Sequence, residues 1–462
     1  MESLLQEIHP EYFGRMQRLL GADFESFFEQ YRQPLPTGLR VNKLKLSPQA
    51  FAALAPFDLA PLPGIEAAFT VSGDEQPGKH PYHSAGLYYL QDPSAMVAAQ
   101  LLDPQPGERV LDLSASPGGK ATQIASLMKG EGILVANEVD PKRAWDLAEN
   151  LERWGVRRLA ITNAAPAQMA AQLEASFDRV LVDAPCSGEG MFLKSASARL
   201  QWTPALVQSC ALRQQSILHA AARMIKPGGR LVYATCTFAP EENEAVIGHF
   251  LDQHPDFELV EPAHLPGFAP GRPGWASASN LDLHKTVRLW PHLWPGGGQF
   301  IAVLRSTRRG NVQPPEEKIS KGLPREAGKL FEVFYDETLL EAPPIRNLHL
   351  VGSYVYAVPE GMPDLGALKA IHPGWWLGTV RKNRFEPSHA LALALDAANA
   401  RRVVNLASNG AEIRPYLRGE TLDSEGDSGW VLVCVDGFPA GWGKRAGGKI
   451  KNHYPHGLRL SY

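Results

Sequence analysis

Residues 182–192 read Val-Asp-Ala-Pro-Cys-Ser-Gly-Glu-Gly-Met-Phe. The apolar run at 177–182 predicts a buried strand, so Asp183 and Cys186 would emerge at its carboxyl end. Open α/β sheets place their ligands and catalytic groups at this edge. Because a thiol is a strong nucleophile and a carboxylate can exchange protons, the stretch predicts a catalytic site. The alternative interpretation is a small buried cysteine that packs like a hydrophobic residue.

A second cysteine repeats this layout. Cys236 lies 50 residues after Cys186 and follows another apolar run, at 229–235. If the two strands are parallel neighbours, both thiols lie close together at one edge of the sheet. The chain has four cysteines in 462 residues, without a CxxC pair or a His/Cys cluster, so we expect neither a disulfide framework nor a metal site. The other two, Cys210 and Cys434, are expected in the core.

The composition is that of an ordinary globular protein. With 462 residues, of which 44% are hydrophobic, the chain can bury large cores, and about three domains are expected. Its opening residues are acidic and no apolar run approaches about 18 residues, which predicts neither a signal peptide nor a membrane span. We therefore expect a cytoplasmic protein with reduced thiols. The net charge of -3 argues against a generally basic nucleic-acid binder but not against local basic patches.

A cofactor loop is predicted upstream of both cysteines. A strand at 109–113 leads into a glycine-containing turn, and a helix follows at 121–128. Such a turn lets a nucleotide-type ligand approach backbone N–H groups at a helix amino terminus. Neither GxGxxG nor GxxxxGK[ST] is present, which disfavours NAD and ATP. The residues expected at this cofactor loop are Ser114, Ala115, Ser116, Pro117, Gly118, Gly119 and Lys120.

The next strand, at 132–137, ends in an acid. Glu138 lies 20 residues past Gly118, the position where a carboxylate can bind a ribose diol, although a solvated charge at a strand end is the alternative. Further strands at 157–163, before Asp183 and before Cys236 continue a doubly wound sheet, with a long helix at 204–225. The pattern predicts an α/β fold with a Rossmann-like core.

The domain boundaries follow from shifts in pattern. We expect a small α+β N-terminal accessory or RNA-binding domain before the core, a polar linker after it, and two β-containing C-terminal units. The predicted ranges are 1–80, 81–307 for the core, 308–328 for the linker, 329–386 and 387–462.

The end of the chain is basic. Between 441 and 462 there is no acid, and aromatic residues and glycines are interleaved with the cations. This pattern predicts phosphate contact and base stacking with RNA, and a solvated basic tail is the alternative. The candidate RNA-binding residues are Lys444, Arg445, Lys449, Lys451 and Arg459.

The glycine turn and the two cysteine motifs together resemble the Sun-type RNA cytosine-5 methyltransferases, over nearly the whole chain. Residues 116–120 match the family's cofactor loop, 183–188 its fourth motif and 235–237 its sixth. The extension at 188–192 and the terminal motifs at 437–444 and 451–459 resemble the RsmF/YebU branch, which acts on small-subunit ribosomal RNA and ends in a PUA-like RNA-binding domain.

The resemblance implies a cofactor, a substrate and roles. It implies S-adenosylmethionine as methyl donor, cytosine in 16S ribosomal RNA or the 30S subunit as partner, and Cys236 as the nucleophile that adds to carbon 6. Cys186 would assist resolution of the adduct, and Asp183 would bind the N3/N4 edge of the base. Lys120 would orient Asp183, with a solvated lysine as the alternative. We expect Arg143, Asn163 and Asp183 among the cofactor contacts, although several relatives carry Asp at position 163.

Three alternatives stay open on sequence. DNA cytosine-5 methyltransferases use a cysteine after proline, which would make Cys186 the nucleophile, but they lack the Thr-Cys-Thr motif at 235–237. Transfer RNA is a competing substrate for the same chemistry. A non-catalytic ribosome-assembly factor is the rival from another class. We expect a monomer without metal or membrane association.

Overall fold

The computed structural model describes residues 7–72, 75–276, 282–310, 322–340 and 345–460. Within these ranges the chain forms four β-sheets with helices around them. The predicted linker at 308–328 falls partly outside the described residues, which end at 310 and resume at 322.

The N-terminal unit is a small α+β domain, as predicted. Its four-stranded sheet has the order β2-β3-β1-β4. Ser47 caps helix α3 by accepting a hydrogen bond from the Ala50 backbone N–H, as the Ser-Pro pair predicts. The sheet includes strand β4, which lies beyond the boundary expected at residue 80. The elements are α1 Pro10–Leu20, α2 Phe24–Glu29, β1 Thr37–Val41, α3 Pro48–Leu54, β2 Leu59–Pro61, β3 Ala68–Val71, α4 Pro81–Ser84 and β4 Tyr88–Leu90.

The predicted α/β core is present, with helices on both faces of one large sheet. The strands that carry the predicted motifs, β5 to β9, are mutually parallel in the order β9-β8-β5-β6-β7. Its elements are α5 Met96–Leu102, β5 Arg109–Asp112, α6 Gly119–Leu127, β6 Ile133–Asn137, α7 Pro141–Trp154, β7 Leu159–Thr162, α8 Pro166–Gln172, β8 Phe177–Asp183, α9 Ala196–Gln201, α10 Pro204–Met224, β9 Ile225–Thr235, α11 Glu244–Gln253, β10 Phe257–Leu259, β11 Phe268–Pro270, β12 Val287–Leu289 and β13 Gln299–Ser306.

Two apolar layers hold this sheet between its helices. Val110 and Leu181 belong to one cluster of buried residues, whereas Leu111 and Val180 belong to the other. Side chains that alternate along buried strands therefore fill both faces. Cys210 and Cys434 are both buried, as expected for core residues.

The C-terminal region forms two further β units. The first has sheet order β14-β15-β17-β18 and the second has order β19-β21-β22-β23-β20. The elements are α12 Arg325–Thr338, β14 Leu348–Val351, β15 Tyr354–Ala357, β16 Ala370–His372, β17 Trp375–Arg381, β18 Arg384–Pro387, α13 His389–Leu393, β19 Val403–Leu406, α14 Ile413–Arg418, β20 Leu422–Asp423, β21 Gly429–Val435, β22 Phe438–Ala446 and β23 Lys449–Asn452.

One strand of the first C-terminal β unit pairs with a strand outside its own sheet. β16 pairs antiparallel with β7 and so adds a strand to the edge of the core sheet. The sequence predicted a separate β unit over this range and did not predict this pairing, because periodicity does not identify the partner of a strand.

Candidate active site

The two cysteines on which the sequence analysis depends lie side by side. Cys186 follows β8 and Cys236 follows the neighbouring parallel strand β9, so the carboxyl ends of both strands bring the Sγ atoms to 3.4 Å. Both residues are partly accessible. The hydrogen bond with Cys236, together with burial, raises the pKa of the Cys186 thiol well above its ordinary value.

Two buried side chains hold the turn that carries Cys186. Glu242 Oε2 accepts hydrogen bonds from the Ser187 backbone N–H at 3.0 Å and from Gln214 Nε2 at 2.8 Å. Gln214 Nε2 also donates to the Pro185 carbonyl. Burial raises the pKa of Glu242 to about 7. Two buried side chains therefore hold the backbone on both sides of Cys186.

The turn that carries Cys236 is held in a similar way. Asn243 accepts from the Thr235 hydroxyl at 2.6 Å and donates to the Thr237 carbonyl at 2.9 Å. The Thr237 hydroxyl lies 2.8 Å from that of Ser187, which joins the two cysteine turns directly.

The extension after the fourth motif also supports Cys236. The Gly190 backbone N–H donates to the Cys236 carbonyl at 2.8 Å, and a Cβ at this glycine would lie 2.9 Å from that oxygen. Buried Glu189 accepts from the Phe238 backbone N–H and from the Trp202 indole. The absence of a side chain at residue 190 therefore permits the close contact between the two turns.

Lys120 and Asp183 form an ion pair at the same edge, with Nζ and Oδ2 2.6 Å apart. The side chain of Lys120 is only 11% exposed, so this lysine is not a solvated helix-start residue. Burial opposes its charge, but Asp183 and, more weakly, Asp112 and Cys236 outweigh that effect and raise the pKa of Lys120.

A buried acid close to this ion pair was not predicted from the sequence. Asp112 is fully buried at the end of β5, and neither carboxylate oxygen has a hydrogen-bond partner of normal geometry among the described residues. Burial and the neighbouring Asp183 charge raise its pKa to about 8, although Lys120 and, more weakly, the Ser114 backbone N–H oppose the shift. The sequence signal was the one that identified Asp183, namely an acid at the end of a predicted strand.

The predicted cofactor loop connects β5 to α6. Gly118 has φ +114°, a conformation that residues with a side chain rarely adopt, and it precedes the first residue of the helix. The Ala115 N–H donates to the Asn137 carbonyl, Ser116 exchanges hydrogen bonds with Arg143, and Asn150 donates to the Pro117 carbonyl. These contacts hold the loop at the amino terminus of α6, where the first backbone N–H groups have no partner within the helix.

Arg40 reaches this loop from the N-terminal domain. Its guanidinium donates to the Gly119 carbonyl at 2.8 Å and to the Thr122 hydroxyl at 2.7 Å, and it lies over the Trp154 ring. Burial lowers its pKa to about 9. A single arginine in a predicted strand gave no sequence signal for this contact.

The remaining predicted cofactor residues cluster at the ends of β6 and β7. Glu138 is buried, so it is not a solvated strand-end charge, and its Oε1 accepts from the Asp140 N–H at 3.0 Å. Arg143 lies 3.5 Å from its other oxygen. Asn163 donates from Nδ2 to the Glu138 and Val139 carbonyls. These contacts bring all three side chains to one end of the glycine turn.

The basic residues of the last strands do not share one face. Lys444 pairs across the sheet with Trp430 and with Lys451, and its ammonium lies 5.5 Å from the centre of the Trp430 ring. Exposed Lys449 lies two positions from Lys451 on the same strand.

Two of the predicted cations are placed differently. Arg445 points the other way from Lys444, is buried, and donates to the Ser424 hydroxyl, because alternate residues of a strand face opposite sides. Arg459 packs over Gly419. The burial of Arg445 argues against its predicted RNA contact, whereas RNA contact by Arg459 stays a prediction.

The described ranges contain neither a candidate metal site nor a candidate membrane-spanning helix. No group of three or more His, Cys, Asp or Glu side chains there could hold a metal ion. No described helix is long and apolar enough to cross a membrane.

Four family models match the chain in sequence order. The model for the 16S rRNA methyltransferase RsmB/F matches residues 99–305, and that for the N-terminal domain of RsmF matches 8–93. The RsmF first C-terminal domain matches 333–395, and the RsmF PUA domain matches 403–460.

Curated relatives match from end to end. The ribosomal RNA small subunit methyltransferase F of Vibrio vulnificus (strain YJ016) is 33% identical over 94% of the chain and 94% of the relative. That of Erwinia tasmaniensis is 32% identical over 97% of the chain and 96% of the relative.

Solved structures match the fold. A methyltransferase homolog from Pyrococcus horikoshii is 31% identical, with a TM-score of 0.59, over 66% of the chain and 98% of the homolog. NSun6 from Pyrococcus horikoshii, solved with SFG, is 21% identical with a TM-score of 0.56 over 65% of the chain and 99% of NSun6, and it supports the fold alone. Together with the end-to-end relatives, the core match shows that the chain belongs to the RsmB/F family of 16S rRNA methyltransferases.

Proposed function

We propose that the protein transfers a methyl group from S-adenosylmethionine to carbon 5 of a cytosine in 16S ribosomal RNA, through a covalent adduct between Cys236 and carbon 6. The observation that carries this proposal is the pair of thiols 3.4 Å apart, next to the Lys120–Asp183 ion pair. Carbon 5 of cytosine is a weak nucleophile, and one thiol is needed to activate it and a second to complete the reaction.

The first step is attack on the base. Cys236 adds as a thiolate to carbon 6, and the electron pair of the carbon 5–carbon 6 double bond moves toward carbon 5 and the N3 edge. N3 takes up a proton from solvent as charge develops there, and Asp183, oriented by Lys120, accepts hydrogen bonds from the exocyclic amine and from this N3–H. The Cys186 S–H donates to the Cys236 sulfur and stabilises its thiolate before attack.

Methyl transfer and release follow. Carbon 5 attacks the methyl group, forming a carbon–carbon bond as the carbon–sulfonium bond breaks. Cys186, as a thiolate, takes the proton from carbon 5; that electron pair restores the carbon 5–carbon 6 double bond as the carbon 6–sulfur bond breaks, and Cys236 leaves as a thiolate. Bond formation at Cys236 removes the thiolate that raises the pKa of Cys186, so the Cys186 thiol then loses its own proton to solvent more readily and is available as a thiolate base.

The residues around the glycine turn fit the cofactor. Gly118 and Gly119 lie at the amino terminus of α6, where backbone N–H groups can meet a ligand, buried Glu138 offers a carboxylate to ribose hydroxyls, and the unpartnered Asp112 side chain suits a cationic group. When bound, S-adenosylmethionine supplies an electrophilic methyl group and leaves as S-adenosylhomocysteine.

The substrate must expose one base. Carbon 6 of a stacked cytosine is inaccessible to a thiolate, so the base must be turned out of its stack. We propose that Lys444, Lys449 and Lys451 contact phosphates while Trp430 stacks on a base, because they lie together on one strand face. We also propose that the protein is a cytoplasmic monomer that acts on the small subunit or its RNA.

Methyl transfer to defined RNAs tests the proposal. Labelled S-adenosylmethionine is incubated with 30S subunits, naked 16S RNA and bulk transfer RNA, using the wild type and Cys236→Ala. Label in 5-methylcytosine of ribosomal RNA, lost in Cys236→Ala, is the expected result. Label in transfer RNA alone would overturn the substrate assignment, and no label in any RNA would favour the non-catalytic assembly factor.

A further inference from the structure

The first C-terminal domain sends a segment along the edge of the methyltransferase sheet. This segment, residues 359–372, is called the strap here. Its last part is β16, in which Ala370 pairs with Thr162 and His372 with Ile161 of β7. Met362 is buried in the core cluster on one face of that sheet. The strap is therefore packed against the core and not against its own domain alone.

Hydrogen bonds fix the strap along its length. Arg158 donates to the Glu360 carbonyl at 3.1 Å, and Gln172 donates to the Asp364 carbonyl at 3.0 Å. At its far end His372 Nε2 lies 2.7 Å from Glu152 Oε1 on α7. The partners lie on β7 or its flanking turns and on the helices on either side of it.

The strap reaches the proposed cofactor pocket through Lys369. Its ammonium donates to Asn163 Oδ1 at 3.0 Å, and its carbonyl accepts from the Asn163 backbone N–H at 2.8 Å. The Asn163 amide in turn donates to the Glu138 and Val139 carbonyls. Every polar group of the Asn163 side chain is thus bonded either to the strap or to the turn that carries Glu138.

We infer that Lys369 is a positioning residue for S-adenosylmethionine, and that the first C-terminal domain completes the cofactor pocket. Lys369 fixes the rotamer of Asn163, and Asn163 fixes the turn from which the Glu138 carboxylate would meet the ribose. This inference rests on the proposed function, because it assumes that the cofactor binds at this edge.

The arrangement also couples two parts of the protein. Any stabilisation of the pocket by the strap implies that cofactor binding stabilises the strap by the same free energy. A strap that only covers an exposed sheet edge would protect the sheet without affecting cofactor affinity.

Calorimetric binding of S-adenosylhomocysteine to the full-length protein distinguishes the two roles, because it requires no turnover. The variants are Lys369→Ala, Lys369→Arg and the matched control Lys382→Ala, which removes an exposed lysine from the β17–β18 turn of the same domain. We expect Lys369→Ala to raise the dissociation constant about threefold to tenfold, as for loss of one net hydrogen bond. Lys369→Arg should retain most of the affinity, and Lys382→Ala should bind like the wild type.

Hydrogen exchange provides the second readout. S-adenosylhomocysteine should slow exchange of the amides at 369–372 in the wild type and have less effect in Lys369→Ala. The inference would be overturned if Lys369→Ala bound S-adenosylhomocysteine as tightly as the wild type. It would also be overturned if the ligand did not change the rate of amide exchange in the strap. A wild-type protein that binds no S-adenosylhomocysteine would instead overturn the proposed function.

Discussion

The Sγ atoms of Cys186 and Cys236 lie 3.4 Å apart at the carboxyl ends of two neighbouring parallel strands. Neither thiol has an acidic or basic side chain as a hydrogen-bond partner among the described residues, so the hydrogen bond between the two thiols couples their ionisation directly. A reaction that consumes one thiolate therefore changes the acidity of the second.

Removal of Cys186 should trap the RNA. In Cys186→Ala the attack by Cys236 is retained but the adduct is resolved slowly, so a protein–RNA complex that survives denaturation should accumulate. Gel electrophoresis under denaturing conditions with labelled 16S RNA measures it. Cys236→Ala should give no complex, and Cys210→Ala, which removes a buried helical thiol, should behave like the wild type. A complex from Cys236→Ala and none from Cys186→Ala would exchange the two roles.

Asp112 should make cofactor binding depend on pH. Its pKa of about 8 in the free protein means that the carboxylate forms only as the pH rises through that value. A cationic ligand group favours the carboxylate, so wild-type affinity should rise over this range. Asp112→Asn should match the wild type near pH 6 and bind roughly tenfold more weakly near pH 9, since one pKa unit corresponds to about 1.4 kcal/mol. Calorimetry across that range measures the ratio of the two dissociation constants for the cofactor, variant over wild type. A ratio independent of pH would exclude a contact between Asp112 and a cationic group of the cofactor.

The strand-end rule explains why the main site residues were predictable. Asp183, Cys186, Cys236 and Glu138 each follow an apolar run, and a parallel sheet brings such positions to one edge whatever their separation in sequence. The same rule applied to Asp112 would have found it.

The supporting residues were not predictable in this way. Gln214 lies inside a helix and Arg40 inside a strand of another domain, and their hydrogen bonds depend on how elements pack. The run Glu242-Asn243-Glu244 shortly after Cys236 was a signal that went unused. Lys444 and Arg445 point to opposite faces because successive side chains of a strand alternate. This alternation can be used only once the two residues are known to lie in a strand.

Ionisation of Glu242 should lower the free energy of unfolding of the protein as the pH rises. Its folded pKa is about 7, above the ordinary 4.5, so the folded state keeps a proton that the unfolded chain has lost between these values. The stability that this proton gives is fully present below about pH 4.5 and is lost as the pH rises through about 7. At about 1.4 kcal/mol for each pKa unit, the limit is roughly 3 kcal/mol.

Glu242→Gln tests this effect, because the amide oxygen can accept the same two hydrogen bonds without a charge. Urea unfolding at pH 5 and pH 8 should show that the variant gains free energy of unfolding relative to the wild type as the pH rises. A difference between the two proteins that stays constant with pH would mean that Glu242 does not titrate in this range.

Lys444 and Lys451 should contribute to RNA binding through charge, and Trp430 through stacking. They form one cross-strand row, with the Lys444 ammonium over the Trp430 ring. Each lost phosphate contact reduces the slope of log affinity against log salt by about 0.7 to 0.9. Filter binding of 16S RNA at several salt concentrations should therefore give Lys444→Ala/Lys451→Ala a shallower slope, whereas Trp430→Ala should weaken binding with the slope nearly unchanged. Lys329→Ala removes an exposed lysine of α12 and serves as the matched control. Equal slopes for the double variant and this control would remove the row from the RNA surface.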